Sequence, residues 1–211
     1  MVRVCGIDPG IANLGLCIAD RDDEGNFTIV HLDKVSLFNM GETRYAYDSK
    51  QLCHLVYRFV LDREEIFRTV DLFLIENQMA RSIFKVQFGL EALLQKYGKT
   101  LPMHPSTVKA FFKTSKKNYK GNKCAAVNFC QTQLEGGNLQ KFRRFTQGTK
   151  ADDVADAVLL AKYGALNYSR LMAVSLTAWD DAEHAARKKK KKRKRAAPSK
   201  KPPAAGRRQQ T

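Results

Sequence analysis

The five cysteines of this 211-residue chain, at positions 5, 17, 53, 124 and 130, include no Cys-x-x-Cys pair and no matching pair of histidines. That spacing argues against a zinc module and a disulfide framework and for the reduced thiols of an intracellular protein, most of them core packing. No run of about 18 apolar residues is present to span a bilayer. The amino terminus also lacks a charged segment followed by an apolar one, so neither membrane insertion nor secretion is expected. Acids are absent where basic residues are densest: Arg187 to Thr211 holds thirteen Lys and Arg and no Asp or Glu.

That terminal stretch, with Pro198, Pro202, Pro203 and Gly206, cannot bury apolar area and predicts a disordered tail over 187–211. It reads as a nuclear localisation signal or a nonspecific nucleic-acid arm, which would place the protein in a nucleus or on nucleic acid inside a cell. The tail carries most of the net charge of +16, because residues 1 to 186 hold 24 basic against 21 acidic side chains. Within that nearly neutral body the charge is uneven. Residues 109 to 150 carry Lys109, Lys113, Lys116, Lys117, Lys120, Lys123, Lys141, Arg143, Arg144 and Lys150 against the single acid Glu135. A regional basic face of this kind is suited to phosphate contact.

The length suits one folded domain with an unstapled core. Val2 to Gly10 reads as a buried strand that stops at Pro9 and Gly10, leaving Asp8 at its carboxyl end, either as a turn cap or as part of a site. Leu14 to Ala19 follows too closely for a crossover and should return antiparallel, with Gly15 marking a close approach. Phe27 to Phe38 supplies a third strand, and residues 44 to 67 show helical spacing. Leu72 to Ile75 is apolar on both faces, as a central strand is, and ends in Glu76, which repeats the Asp8 arrangement on what should be a neighbouring strand. Ser82 to Tyr97 predicts a helix with more than one apolar stripe, fit to pack on the sheet and on either a second helix or a dimer partner. A fifth strand is expected near Leu101 to His104, then a helix opened by Ser106, a basic loop over Thr114 to Asn122, and a helix from Lys123 to Leu134. Gly136 to Gly148 reads as a flexible basic stretch, and Thr149 as the start of a last helix reaching Tyr163.

The last helix holds Asp152, Asp153 and Asp156. At roughly 100° per residue, Asp153 lies about 60° and Asp152 about 40° from Asp156, so either can share its face. Thr149 and Asp152 have the spacing of a capping box, which gives Asp152 a structural task at the helix start. Asp156 lies past the first turn among Val154, Ala155, Ala157 and Val158, where an acid is costly unless a cation meets it. Asp153 and Asp156 are therefore assigned to the site, with Asp152 as the alternative. Four carboxylates converging on one point require divalent cations, and hard oxygen donors suit Mg²⁺ or Mn²⁺, two per site, acting on phosphodiesters.

In this order, Gly6-Ile7-Asp8-Pro9-Gly10 with Gly15, Leu74-Ile75-Glu76-Asn77-Gln78, and Asp152-Asp153-Val154-Ala155-Asp156-Ala157 make the chain resemble the RuvC-like Holliday junction resolvases of the RNase H-like superfamily. The likeness is strongest to those of poxviruses and other large DNA viruses, and it covers residues 1 to about 165. The resemblance implies an α/β fold with a mixed five-stranded sheet flanked by helices, a nuclease domain over 1–165 and a carboxy-terminal extension over 166–186. It implies a homodimeric Mg²⁺-dependent endonuclease that resolves four-way DNA junctions in viral recombination or concatemer processing. It places metal and catalytic roles on Asp8, Glu76, Asp153 and Asp156, and a dimer-building role on the helix Ser82 to Tyr97. A basic residue assisting at the scissile phosphate falls on Lys123 first, with Lys109 as the other candidate. Lys109, Lys113, Lys116, Lys117, Lys120, Lys123, Arg143 and Arg144 would hold DNA. Met79 stands where bacterial members carry an aromatic wedge, and it cannot stack as an aromatic does.

The same carboxylates would serve an RNase H-fold nuclease acting on RNA·DNA hybrids or other branched DNA. A noncatalytic nucleic-acid-binding module would use the acids only as caps and solvated faces. An actin-like ATPase half also begins with a strand ending in an acid and glycine, but the chain is too short for its two domains.

Overall fold

The strands β1 (Val2–Asp8), β2 (Leu14–Arg21) and β3 (Phe27–Val35) form an antiparallel meander, as the short turn at residues 9–13 requires. The chain then crosses over through α1 (Ser49–Leu61) and α2 (Glu64–Phe67) to β4 (Leu72–Glu76), which lies parallel to β1. A second crossover, α3 (Arg81–Leu94), leads to β5 (Lys99–Met103), parallel to β4. The result is the expected mixed five-stranded sheet, in the order 3-2-1-4-5, with β1 and β4 at its centre. The computed structural model describes residues 1–38, 49–78, 80–115, 119–146 and 151–174, without the side chains of residues 49, 81, 82, 119, 120 and 123.

Strand alternation divides the central residues between two layers. Cys5 and Ile7 of β1, Leu14, Leu16 and Ile18 of β2, and Phe73 and Ile75 of β4 pack with Leu52, Val56, Phe59 and Val60 of α1 and with Val86, Leu90 and Leu94 of α3. The opposite face is covered by α7 (Asp152–Leu166), which is buried along nearly its whole length. This helix lies unusually close to the strands. A Cβ on Gly6 would sit 2.3 Å from the carbonyl oxygen of Ala157, and one on Gly15 would sit 2.2 Å from that of Asp153.

Four local expectations change. The basic stretch after Leu134 is not a flexible loop but α6 (Gly136–Thr146), which buries Phe142 completely. Asn138 of α6 accepts from the Ile29 N–H at 2.8 Å and donates to the Phe27 carbonyl at 2.7 Å, so the helix is held by the unpaired edge of β3. Next, α5 (Tyr119–Gln133) begins four residues before the expected Lys123. Then α4 (Pro105–Phe111) is capped not by Ser106 but by His104, whose Nδ1 accepts from the Ser106 N–H, with Pro105 in the first turn. Finally, α7 starts behind Ala151, whose carbonyl already accepts from Ala155 N at 2.9 Å, so Asp152 is the first helical residue and not the third of a capping box. Thr149 lies outside the described residues.

A short helix, α8 (Tyr168–Ala173), ends the described chain. All five cysteines are free thiols. Met1–Met172 forms one compact unit, and a second, Ala173–Thr211, is described only as far as Val174, so the basic tail lies outside the described residues.

Candidate active site

Strand parity places the first two acids. In the parallel pairing of β1 with β4, Ile7 lies opposite Ile75, and the next step along both strands brings Asp8 and Glu76 abreast. Because Ile7 and Ile75 point into the α1 and α3 layer, Asp8 and Glu76 point to the other face, toward α7. On its other side Asp8 pairs with Gly15, the residue without a side chain that admits the start of α7. Asp153 and Asp156, on the first two turns of that helix, complete the group. Their charges act on Asp8 together with that of Glu76. Asp152 is buried too, but its charge is felt at Asp156 and not among the main influences on Asp8 or Glu76.

Burial and mutual repulsion dominate the electrostatics. Asp8 is 9% exposed, and its pKa is raised well above the usual carboxylate range, by burial first and then by Glu76, Asp156 and Asp153. Glu76 is pushed up to about 7, again by burial first and Asp156 second. Burial also raises Asp156, although Lys109 opposes the shift. Lys109 Nζ donates to Asp156 Oδ2 at 3.1 Å. Burial disfavours this ammonium, but Asp156, Glu76 and Asp8 outweigh it and hold its pKa above the ordinary lysine value. Gln78 Nε2 donates to Asp8 Oδ1 at 3.2 Å and to Glu76 Oε1 at 3.4 Å.

Among the described residues one ammonium meets four acids, which leaves the group short of positive charge. Among the described residues no three Asp, Glu, His or Cys groups close on a common point, as repelling anions are expected to stand off. The donor set nevertheless fits a hard divalent cation. Among the described residues Asp156 Oδ1 is buried without a hydrogen-bond partner, which is costly for an anion unless a cation reaches it. All four candidate ligands are carboxylates, the donors suited to Mg²⁺ or Mn²⁺.

The remaining candidates are spread more widely. Lys113, Arg143 and Arg144 are exposed, Lys113 in the left-handed region at φ 56° just after α4 and the arginines in the last turn of α6. Lys120 and Lys123 belong to α5, but their side chains, like Met79, Lys116 and Lys117 as a whole, lie outside the described residues. Two residues without an assignment from the sequence join the site. Gln78 stands in the Glu76 motif, and Gln87, on α3, accepts from the Gln78 N–H at 2.7 Å. The available signal for Gln87 was an amide interrupting the Val86, Leu90 and Leu94 stripe. Gly6, quoted from the sequence only as part of the Asp8 motif, admits the approach of α7.

A family model described as Poxvirus A22 protein matches residues 1–168. Comparison with curated proteins gives no significant match. Among solved structures, the yeast mitochondrial Holliday junction resolvase Ydc2 is similar at TM-score 0.63 and 20% identity, covering 81% of this chain and 82% of that one. The fowlpox virus resolvase in complex with Holliday junction DNA is similar at TM-score 0.58 and 13% identity, covering 79% and 99%. Thermus thermophilus RuvC is similar at TM-score 0.57 and 18% identity, covering 80% and 96%. The architecture is therefore the RuvC-like RNase H fold.

Proposed function

The chain belongs to the poxvirus A22 protein family, and we propose that it is an endonuclease that resolves four-way DNA junctions by metal-dependent phosphodiester hydrolysis. The observation that carries this reading is the placement of Asp8 and Glu76, at the ends of adjacent parallel strands, on the face covered by α7 with its Asp153 and Asp156, the latter bonded to the ammonium of Lys109. The junction as substrate is supported by the fowlpox and Thermus relatives, whose structures are described as complexes with Holliday junctions.

In this reading Asp8, Glu76, Asp153 and Asp156 hold Mg²⁺ or Mn²⁺, two per site. Such ions activate water and stabilise the leaving oxygen of the scissile phosphate. The protein's own contribution is to hold four acids at one end of the sheet. Lys109, half-buried against Asp156, is a candidate to neutralise charge on the phosphate, beside Lys123. Lys113, Arg143 and Arg144 are exposed for backbone contacts that position the DNA. A homodimer would form through α3, where Phe84 and Phe88, one turn apart, are 49% and 64% exposed while Val86, Leu90 and Leu94 face the core. Two sites in one dimer would nick opposed strands.

The test is incubation with a four-way junction, a nicked duplex and an RNA·DNA hybrid in Mg²⁺ or Mn²⁺. Paired, religatable nicks on the junction are expected, and Asp8→Asn should lower the rate by at least about a thousandfold while junction binding persists. Equal cutting of the hybrid would overturn the junction assignment. Phe84→Lys with Phe88→Lys should give a monomer by sedimentation and uncouple the two nicks; a stable dimer in that variant would exclude α3 as the interface.

A further inference from the structure

We infer that Gln78, held in place by Gln87 of α3, is a positioning residue that orients the Asp8 and Glu76 carboxylates and thereby sets the affinity of the site for divalent cations. The inference rests on the proposed reading of these acids as metal ligands.

The connection from β4 to α3 spans only residues 77–80. Asn77 N–H continues the sheet by donating to the Met103 carbonyl at 2.8 Å. Gln78 N–H donates instead to Gln87 Oε1 at 2.7 Å, a side chain only 4% exposed. A buried primary amide is tolerated when both its ends are paired. Its other end donates from Nε2 to Glu91 Oε1 at 2.6 Å, one turn further along α3. Because an ionised carboxylate only accepts, the nitrogen of Gln87 must face Glu91 and its oxygen must face Gln78. Glu91 thus fixes the direction of Gln87, and Gln87 fixes the backbone at Gln78.

From that anchored backbone, Gln78 Nε2 reaches an oxygen of Asp8 and an oxygen of Glu76. Both of its N–H groups are therefore directed at the acid pair. A neutral amide suits this task, since it bridges two repelling anions without supplying a competing positive charge. Partners that orient metal ligands in this way are commonly worth about 10–100-fold in metal affinity or activity.

The test uses the full chain with Gln78→Met, Gln87→Met and the exchange Gln87→Glu with Glu91→Gln, which restores a donor and an acceptor in reversed order. Mn²⁺ binding is titrated calorimetrically without DNA, and the Mg²⁺ dependence of junction cleavage is measured beside it. Each single variant should weaken Mn²⁺ binding roughly tenfold and raise the Mg²⁺ needed for half-maximal cleavage by a similar factor. The exchange should recover most of the loss. A merely structural role would lower the melting temperature and leave the Mn²⁺ affinity of the folded protein unchanged. Should Gln87→Met fail to fold, Gln78→Met decides alone, because that side chain is half-buried and its loss leaves the α3 anchor intact. Wild-type Mn²⁺ affinity in Gln78→Met overturns the inference. A wild-type protein that binds Mn²⁺ but leaves junctions intact overturns the junction substrate and spares the inference; one that binds no Mn²⁺ overturns both.

Discussion

The two faces of the central strands are packed by opposite means. On one face Ile7, Leu16, Phe73 and Ile75 meet Leu52, Val56, Phe59, Leu90 and Leu94, all large side chains that fill the gap between sheet and helices. On the other face the gap is nearly absent: Gly6 and Gly15 let the backbone of α7 rest against β1 and β2, with Ala157 and Ala161 at the contact. Large side chains bury more apolar area and serve stability. Small ones shorten the distance between backbones, and here that brings acids on a helix to acids on strands. The face with the closest backbone approach is the one that holds the candidate site.

The sharpest way to break this contrast is Gly6→Ala. Its new methyl would meet backbone atoms of Ala157 and Ala161, at 2.3 and 2.5 Å, which flexible side chains cannot relieve. Roughly 3 kcal/mol or more of unfolding free energy should be lost in denaturant titration. Cleavage per folded molecule should fall about a hundredfold as α7 is displaced from the strand ends. Leu52→Ala, in the opposite layer, should cost roughly 2–3 kcal/mol in the same titration. Its cleavage rate per folded molecule should stay at the wild-type level, and a loss there would erase the division of labour between the faces.

The smallest effect concerns charge. Asp8, Glu76 and Asp156 have folded pKa values above their ordinary ones, by burial first and by neighbouring acids as well. An acid raised in this way binds more protons in the native state than in the unfolded one. Stability is then greatest at low pH and declines as pH rises from the ordinary value of 4.5 for Glu76 toward about 7. In chelator, unfolding free energy should therefore drop by roughly 1–3 kcal/mol from about pH 5 to about pH 8. Glu76→Gln should flatten the decline, and saturating Mg²⁺ should reverse it. A metal-free protein equally stable at both values would show that neither burial nor neighbouring acids raise these carboxyls.

Much of this arrangement was legible beforehand. Asp8 and Glu76 each end an apolar strand, and Asp156 interrupts an apolar helix, so each acid sat where only a local reason or a cation could account for it. The approach of backbone at Gly15 was also legible. Less could be read where tertiary contacts override local preference. The stretch from Gly136 begins with two glycines and carries Lys141, Arg143 and Arg144, yet Asn138 and the buried Phe142 make it a helix against β3. The start of α7 was placed at Thr149 on a capping pattern, whereas the helix closes its first turn from Ala151. The choice between Lys109 and Lys123 had no basis in spacing, because both open from basic segments.

The amino-acid sequence alone accounts for the antiparallel return of β2 and for the acids that end β1 and β4, because alternation and a short turn allow few ways to bury such segments. It also determined the residue types, and so the hard-cation chemistry that four carboxylates admit. Which neighbours those acids have is set by packing between elements distant in the chain. Lys109 meets Asp156 and not open solvent, and Gln87 reaches back across nine residues to hold Gln78, because the packing of α4 and α3 on the sheet sets distances that no local pattern contains.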